Sequence, residues 1–266
     1  MSAAVINDGR GNYDLFDSQD YLSKLFTDVT VLQDVAAHVE FFSQFQDNSV
    51  TMLDYGGGPN VFSLIVGAEK VTRYVHSDYA KNNRDEIERW RMMDPQAFNW
   101  QENVRRILKL EGKDGTDEEV QRREDRMRRV LEAVVYCDAK SDKMIADGYE
   151  GPYDIVTCSF CLDCVFQSVE ALTEAIGRLS ALVKPGGYFV LSVTGIIDDN
   201  EAPYFYDQIP IAGFKYDGYL LAPARCYIDA FEANGYTVTR QVVRPYHHPT
   251  IDVDDAVAIT FGKKAA

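Results

Sequence analysis

A short apolar segment that runs directly into three consecutive glycines constrains this chain more than any other feature of its sequence. Val50–Tyr55 has the length and composition of a buried strand, and Gly56-Gly57-Gly58-Pro59 follows it. Glycines in this place allow a tight turn and let the backbone approach a ligand closely at the carboxyl edge of a sheet. A helix over 61–69 and a second strand over Arg73–Ser77 are predicted next. The sequence therefore predicts a ligand site where the first strand ends.

Strand-like and helix-like segments alternate through the rest of the chain. The predicted strands are Val50–Tyr55, Arg73–Ser77, Val134–Cys137, Tyr153–Phe160, Tyr188–Val193, Tyr236–Val243 and Ala256–Gly262. The predicted helices are 61–69, Asn82–Met93, 101–133 with a break near Gly112 to Gly115, Val169–Leu182 and 223–234. This alternation predicts an α/β fold with a mostly parallel, doubly wound, seven-stranded sheet. The last two strands have no helix between them, which predicts an antiparallel pair at one end of the sheet.

The domain organisation is predicted to be simple. Residues 13–45 carry apolar and aromatic side chains at roughly helical spacing, which indicates a helical N-terminal segment packed on the main domain. We expect one domain over 1–266, with a helical cap over 1–48 and a Rossmann-like core over 49–266. Lys184-Pro185-Gly186-Gly187 is predicted to be a turn before the fifth strand, and the aromatic-rich segment 204–219 to be a loop that fills the core, covers a site or forms a cation cage.

Carboxylates follow consecutive predicted strands. Asp78 stands at the tip of the second strand, 20 residues after Gly58, where it is placed to accept from the two hydroxyls of a ribose. Asp138 stands at the tip of the third strand, within reach of an adenine amino group. Two other nucleotide motifs are excluded, because Val61 stands where G-x-G-x-x-G needs glycine and no P-loop lysine follows.

Charge and cysteine content narrow the partners and the location. The formal net charge is −15, which disfavours nucleic acid and anionic membranes and is compatible with a cationic small molecule. No apolar window reaches the ~18 residues of a membrane span, and the N-terminal segment lacks the features of a secretory signal. Five cysteines without a signal predict a reducing, cytoplasmic setting, and we expect a monomer.

Two groups of possible metal ligands are not expected to bind metal. Cys158, Cys161 and Cys164 are evenly spaced but lack a fourth zinc ligand nearby, and Cys158 lies inside a predicted strand. His247-His248 lacks a third ligand and is expected to line a surface or a substrate pocket. The sequence therefore predicts no metal site.

The order of these motifs resembles a known family. A glycine loop, two strand-tip acids and a Lys-Pro-Gly-Gly turn are the pattern of class I S-adenosylmethionine-dependent methyltransferases. Over Tyr13 to Lys263, the chain looks more specifically like the nicotinamide/phenylethanolamine/indolethylamine N-methyltransferase family. The residues that carry this likeness are Asp20-Tyr21-Leu22, Asp54 to Pro59, Ser77-Asp78-Tyr79, Asn83, Trp90, Cys137-Asp138, Cys161-Leu162-Asp163 and Lys184 to Gly187.

The resemblance implies a set of cofactor-binding residues for S-adenosylmethionine, with S-adenosylhomocysteine as the product. The cap would close over the cofactor, the glycine loop would approach its methionine portion, and the strand tips would hold its ribose and adenine. The implied residues are Tyr13, Tyr21, Phe26, Gly56, Gly57, Gly58, Asn60, Asp78, Tyr79, Asn83, Asp138, Ala139 and Ser159. Phe26 stands where the family usually has a second cap tyrosine, so one hydroxyl contact is lost.

The resemblance also implies an acceptor site and a reaction. Asp163 corresponds to the acid that faces the substrate nitrogen and is the catalytic candidate. The implied substrate-binding residues are Tyr21, Asp163, Thr194, Tyr246 and Asp254. Thr194 belongs to Ser192-Val193-Thr194, which stands where some members of the family carry an acid.

Three functions follow from this pattern. The first is methylation of a small-molecule amine, in which Asp163 orients the nitrogen and takes its proton. The second is methylation of nicotinamide or another pyridine, which needs no base. The third is a methyltransferase-like binding protein without turnover. An RNA or protein substrate is disfavoured by the charge and the cap.

Overall fold

The computed structural model describes residues 16–27, 35–206, 209–211, 214–216, 219–247 and 254–266. Its helices are α1 (Ser18–Leu25), α2 (Val35–Ser43), α3 (Phe62–Gly67), α4 (Lys81–Arg91), α5 (Gln101–Leu110), α6 (Asp117–Val130), α7 (Leu162–Val165), α8 (Val169–Leu179) and α9 (Ala224–Ala233). Its strands are β1 (Val50–Tyr55), β2 (Val71–Asp78), β3 (Leu131–Tyr136), β4 (Tyr153–Ser159), β5 (Val183–Gly195), β6 (Tyr204–Tyr206), β7 (Ile209–Ile211), β8 (Phe214–Tyr216), β9 (Tyr219–Leu221), β10 (Tyr236–His247) and β11 (Asp254–Lys264).

Seven strands form the central sheet, in the order β10-β11-β5-β4-β1-β2-β3. Strands β1 to β5 run parallel to one another, whereas β11 is antiparallel to both β5 and β10. This arrangement confirms the predicted mostly parallel sheet and the antiparallel pair at one end. The strand order reverses between β1 and β4, and open α/β sheets bind ligands beyond the carboxyl ends of strands at such a point.

Apolar side chains fill both faces of the sheet. One cluster joins Leu22 of α1, Phe42 of α2 and Met52 of β1, all at most 2% exposed. The other joins α8 and α9 to the opposite face through residues such as Ile176 and Phe231. The two N-terminal helices therefore pack on the sheet, as the helical spacing predicts, while the boundary of the cap at residue 48 stays a prediction.

Several predicted boundaries differ from the structure. The helix predicted over 101–133 is two helices that break between Leu110 and Asp117, as expected, but β3 already begins at Leu131. Leu131 takes extended backbone angles at the end of α6 because its buried side chain joins the sheet beside Tyr74. The helix predicted through Leu182 ends at Leu179 and continues as one 3-10 turn.

The Lys-Pro-Gly-Gly segment is not a turn that precedes the fifth strand. β5 begins at Val183, and the segment lies within it as an irregularity: Tyr153 pairs with Val183, yet Ile155 pairs with Tyr188. Gly186 has a φ of 73°, so the extra residues are accommodated where glycine is favoured. The residues that predict a turn therefore form an irregularity inside a strand.

The aromatic-rich segment is not an unstructured loop. Its strands form two small antiparallel ribbons, with β6 paired to β9 and β7 paired to β8. The inner ribbon lies between the strands of the outer one along the chain, as in one long hairpin. We call the segment from Tyr204 to Leu221 the aromatic insertion.

None of the described helices is long and apolar enough to cross a membrane.

Candidate active site

The glycine loop after β1 lies at the point where the strand order reverses. Gly56 and Gly58 have φ values of 64° and 66°, a region that favours glycine. Gly57 has no room for a side chain, since a Cβ there would lie 2.5 Å from His76 Cε1. Its amide donates to the Ser77 carbonyl at 3.0 Å, which holds the loop against β2. The predicted tight turn is therefore present, and two of its glycines are required by backbone angle.

Asp78 lies directly beside this loop, at the carboxyl end of β2. The Gly58 amide donates to its Oδ2 at 2.8 Å, and the Ala80 amide and the Asn83 side chain donate to its Oδ1 at 2.8 and 3.0 Å. Burial raises the pKa of the Asp78 carboxyl, and the hydrogen bond from Asn83 opposes that rise. These donors fix the carboxylate in a single orientation at the loop.

Helix α1 reaches the same carboxylate through one intermediate side chain. The buried Ser18 hydroxyl donates to Asn83 Oδ1 at 2.8 Å, and Asn83 in turn donates to Asp78. Asn82 also donates to the Phe16 carbonyl at 3.1 Å. The N-terminal segment is thus hydrogen-bonded to the start of α4 and, through Asn83, to Asp78.

The third strand brings Asp138 and Ala139 to the same edge. Asp138 Oδ1 accepts from the Lys140 amide at 2.9 Å, and Asp138 and Ala139 are both buried. The Tyr79 ring lies 5.6 Å from that of Tyr136, over which the Arg84 guanidinium is placed at 5.4 Å from the centroid. We call the surface formed by Gly56–Gly58, Asp78, Tyr79 and Asp138 the glycine-loop edge.

Three other residues predicted to bind the cofactor have local roles here. Asn60 Nδ2 donates to the Gly57 carbonyl at 2.7 Å, and its Oδ1 accepts from the Phe62 amide, so its side chain closes the loop and begins α3. Tyr21 is half-buried, and its ring lies 6.1 Å from that of Phe26. Phe26 is buried, with its ring 5.3 Å from that of Trp100. Tyr13 lies outside the described residues, and cofactor contact by all four stays a prediction.

The end of β4 forms the neighbouring edge. Ser159 is half-buried and is followed by Phe160, which has a φ of 52° although it carries a side chain. Phe160 is 44% exposed. A non-glycine residue in this conformation is costly, and such strain tends to occur at ligand sites. Sequence reasoning missed Phe160, whose only signal was its place at a strand tip.

Asp163 is completely buried in α7. The Thr194 amide of β5 donates to its Oδ2 at 2.8 Å, and the Thr194 carbonyl accepts from Tyr227 Oη at 2.9 Å. The Asp163 Oδ1 atom has no hydrogen-bond partner among the described residues. Burial raises the pKa of Asp163 to about 6, and hydrogen bonds from Thr194 oppose the rise. We call the group formed by Phe160, Asp163 and Thr194 the Asp163 edge.

Tyr246 and Asp254 are placed by backbone pairing alone. Tyr246 pairs with Asp255 and His247 with Asp254 at one end of the β10–β11 ladder. The register of β11 on β5 matches Ala256 with Gly195, so this end lies beyond the carboxyl end of β5. Both residues therefore lie at the same end of the sheet as the Asp163 edge, and their contact with substrate stays a prediction.

His76 is a further buried polar residue at the site that sequence reasoning missed. It follows Tyr74 and precedes Asp78 by two residues, so all three share one face of β2. Asp54 of β1 lies beneath the loop and accepts from Tyr74 Oη and Thr157 Oγ1, both at 2.7 Å. His76 Nε2 contacts the Gly58 carbonyl at 2.9 Å. The alternating spacing from Asp78 was the available signal.

Cys161, one of the three evenly spaced cysteines, lies against the glycine loop. A Cβ at Gly56 would lie 2.3 Å from Cys161 Sγ, so the thiol packs against the loop. A hydrogen bond with Cys158 and burial raise the pKa of Cys161 well above its ordinary value, which keeps it uncharged. Within the described ranges, no group of three or more His, Cys, Asp or Glu side chains is placed to hold a metal ion.

Sequence comparison gives a family match and several curated relatives. A model of the NNMT/PNMT/TEMT family matches residues 5–263. Indolethylamine N-methyltransferase of Oryctolagus cuniculus is 28% identical over 54% of this chain and 54% of its own length. Human nicotinamide N-methyltransferase is 29% identical over 53% and 52%. Phenylethanolamine N-methyltransferase of Macaca mulatta is 26% identical over 79% and 71%. The chain thus spans about half the length of the first two relatives.

Structure comparison gives the same fold. Magnesium protoporphyrin IX methyltransferase of Synechocystis, crystallised with bound SAM, has a TM-score of 0.59 at 13% identity and covers 98% of this chain and 99% of its own. A Burkholderia thailandensis 1,6-didemethyltoxoflavin-N1-methyltransferase, crystallised with S-adenosylhomocysteine, has a TM-score of 0.51 at 14% identity, with 94% and 87% covered. At these identities the likeness establishes the Rossmann-like methyltransferase fold.

Proposed function

The chain belongs to the NNMT/PNMT/TEMT family, and from that premise we propose that it transfers a methyl group from S-adenosylmethionine to the nitrogen of a small-molecule amine. The observation that carries the proposal is the glycine-loop edge. There, a loop that Asp78 anchors through Gly58 begins where the strand order reverses, and Asp138 follows the third strand at the same end of the sheet. This is the place and chemistry expected for a nucleoside with two ribose hydroxyls and an amino group.

The residues present fit S-adenosylmethionine. Gly56 and Gly58 expose backbone without side chains, which suits close approach of the methionine portion. Asp78 keeps acceptor capacity for a ribose hydroxyl at Oδ2, which among the described residues accepts from the Gly58 amide alone, and Asp138 lies where it can accept from the adenine amino group. Tyr79 adds an aromatic surface beside Tyr136. We propose that Tyr13 and Tyr21 close the site from the cap.

The chemistry asks little of the protein beyond placement. S-adenosylmethionine, when bound, supplies a methyl group that its sulfonium already activates. The chain must align the acceptor lone pair with that methyl group and exclude water. Phe160 offers an exposed aromatic surface for the acceptor at the end of β4. Thr194, Tyr246 and Asp254 are proposed to line the same pocket beside the Asp163 edge.

Asp163 is proposed to remove the proton that an ammonium substrate must lose. Its pKa of about 6 leaves it ionised at neutral pH yet basic enough to hold a proton briefly. Because Asp163 is 0% exposed, we propose that its unpaired Oδ1 acts through a water molecule, which such a buried acceptor would hold.

The burial of Asp163 also favours a second candidate. A pyridine nitrogen carries a free lone pair at neutral pH, so its methylation needs no base. Asp163 would then hold a neutral donor such as a carboxamide, either directly or through the same water. The two candidates predict different effects of removing the Asp163 carboxylate. With an amine substrate, kcat should fall, whereas with a pyridine substrate chiefly the affinity for the substrate should fall.

A panel of primary amines, secondary amines and pyridines, assayed for S-adenosylhomocysteine release, tests the proposal. We expect turnover of at least one amine, with activity reduced in Asp163→Ala and in Asp254→Ala. Asp147→Ala, which removes an exposed surface acid, is the matched control. Turnover of pyridines alone would replace the first candidate by the second. Calorimetry with S-adenosylmethionine completes the test: binding without any turnover would favour a methyltransferase-like binding protein.

Monomeric state and cytoplasmic location stay predictions from the sequence.

A further inference from the structure

His76 makes a contact that neither the motif order nor the proposed chemistry requires. Its side chain is 1% exposed, and its Nε2 lies 2.9 Å from the Gly58 carbonyl. A carbonyl oxygen only accepts, so Nε2 must carry the proton in this contact. The imidazole therefore acts as a buried donor aimed at the glycine loop.

The amide of the same residue is held as well. The Gly58 amide donates to Asp78 Oδ2 at 2.8 Å. His76 and Asp78 are two residues apart on one face of β2, so a single strand fixes both polar groups of Gly58. Gly58 has a φ of 66°, and without both contacts this loop residue has other conformations open to it.

His76 also fills the space beneath Gly57. A Cβ at Gly57 would lie 2.5 Å from His76 Cε1 and 2.7 Å from Asp54 Oδ2. The imidazole Nδ1 lies 3.8 Å from the same Asp54 oxygen and has no hydrogen-bond partner in the described part of the chain. Asp54 is held in place by Tyr74 and Thr157 rather than by the histidine. Among the described residues, the contact with Gly58 is thus the one hydrogen bond of the His76 side chain.

We propose that His76 is a positioning residue, which holds the glycine loop and the Asp78 carboxylate in the arrangement that binds S-adenosylmethionine. The inference rests on the proposed function, because it assigns the cofactor to this loop. His76 does not touch the reacting atoms. Its removal is expected to weaken cofactor binding and leave kcat at saturating cofactor largely unchanged.

Three variants separate this role from a structural one. His76→Leu keeps an apolar side chain in the space and removes the donor. His76→Gln restores an N–H donor of similar reach, so it should rescue the loop. Tyr74→Phe is the matched control, since it removes a hydrogen bond from the same buried Asp54 without touching Gly58.

The measurement is calorimetric binding of S-adenosylhomocysteine to the purified full chain, with hydrogen exchange of the 55–60 segment in the unliganded protein. We expect His76→Leu to weaken binding about ten-fold, the effect of one lost hydrogen bond that leaves a carbonyl without its donor. Exchange in the loop should become faster. His76→Gln should return both readings to within about three-fold of the wild type, and Tyr74→Phe should leave the affinity within about two-fold.

Each other outcome has a definite meaning. If the wild type binds the ligand and His76→Leu binds it equally tightly, the positioning role is overturned but the proposed function is not. Equal weakening in Tyr74→Phe also overturns it, because the effect would then come from the Asp54 network. Failure of His76→Gln to rescue a folded protein overturns the hydrogen-bond argument. No binding by the wild type at tens of micromolar ligand overturns the proposed function, and the positioning role falls with it.

Discussion

The two neighbouring edges of the site are built in different ways. At the glycine-loop edge, Asp78 accepts from three donors, and loop, strand and cap are joined by hydrogen bonds. At the Asp163 edge, a buried carboxylate oxygen has no partner among the described residues, and Phe160 sits in a left-handed conformation. The first edge is preorganised. The second carries unsatisfied and strained groups, each costing on the order of 1–3 kcal/mol.

This difference matches the two tasks that we propose. A ligand of fixed chemistry is best received by groups that need no rearrangement, since ordering them at the moment of binding costs affinity. An acceptor that must lose a proton needs a nearby base with a raised pKa. Burial gives Asp163 such a pKa, because it destabilises the charged carboxylate. The contrast therefore predicts that substitutions at one edge change cofactor affinity and those at the other change turnover.

Asp78→Ala should have the largest effect and tests the first half of the contrast. It removes the anchor of Gly58 and the acceptor proposed for the ribose, and hydrogen bonds to a charged group contribute about 1.5–3 kcal/mol each. We expect the dissociation constant for S-adenosylhomocysteine to rise at least about 100-fold by calorimetry. Asp85→Ala, an exposed acid on α4 paired with Lys81, is the control and should bind as the wild type does. A change below about three-fold would remove Asp78 from the site.

Asp163→Asn tests the second half. The amide keeps the size of the side chain and can still accept from the Thr194 amide, but it cannot take a proton. For an amine acceptor we expect kcat/KM to fall about 100-fold while cofactor affinity stays within about two-fold. Steady-state kinetics beside calorimetry gives both values. Unchanged kcat/KM would leave Asp163 without a catalytic or substrate-holding role, and an equal loss of cofactor affinity would end the division between the edges.

The pH dependence of the reaction sharpens the same assignment. The pKa of Asp163 is raised to about 6, so its carboxylate is ionised above pH 6 and is protonated as the pH falls below it. Since the ionised form is the base, kcat/KM should fall about ten-fold per unit below pH 6. Without the base, Asp163→Asn can use only the free amine, so its profile should rise steadily with pH and show no break near pH 6. A wild-type profile without a break between pH 5 and 8 would contradict the role of Asp163 as base.

The sequence predicts the glycine-loop edge better than it predicts the Asp163 edge. The glycine loop and Asp78 lie within about 25 residues of one another and of the strands that carry them, so local pattern is enough to place them. His76 was missed although it lies two residues from Asp78, because a histidine inside a strand matches no motif. Its role appears only when β1 and β2 pair and bring Gly58 above it.

The Asp163 edge depends on segments that meet only in the folded chain. The burial of Asp163 requires α7, β5 and Tyr227 to converge, and no spacing in the sequence reports that. The three-residue strands of the aromatic insertion are too short for alternation to distinguish them from a loop. The Lys-Pro-Gly-Gly segment was recognised as turn chemistry, but its position inside β5 is set by pairing with β4.

Ser18→Ala should have the smallest effect and asks to which edge the cap belongs. The Ser18 hydroxyl donates to Asn83, whose amide donates to Asp78, so its loss frees Asn83 to rotate and loosens one of the three donors on the carboxylate. We expect S-adenosylhomocysteine to bind about three-fold more weakly, the effect of a hydrogen bond that acts through an intermediate. Ser23→Ala, an exposed serine of α1 that donates to the Asp20 carbonyl, is the matched control. A lower melting temperature with unchanged affinity would make the Ser18 contact a packing contact only. Weaker binding at an unchanged kcat would instead show that α1 contributes to cofactor binding at the glycine-loop edge. If α1 contributed only to binding of the methyl acceptor, loss of a contact that acts through Asp78 would not change cofactor affinity.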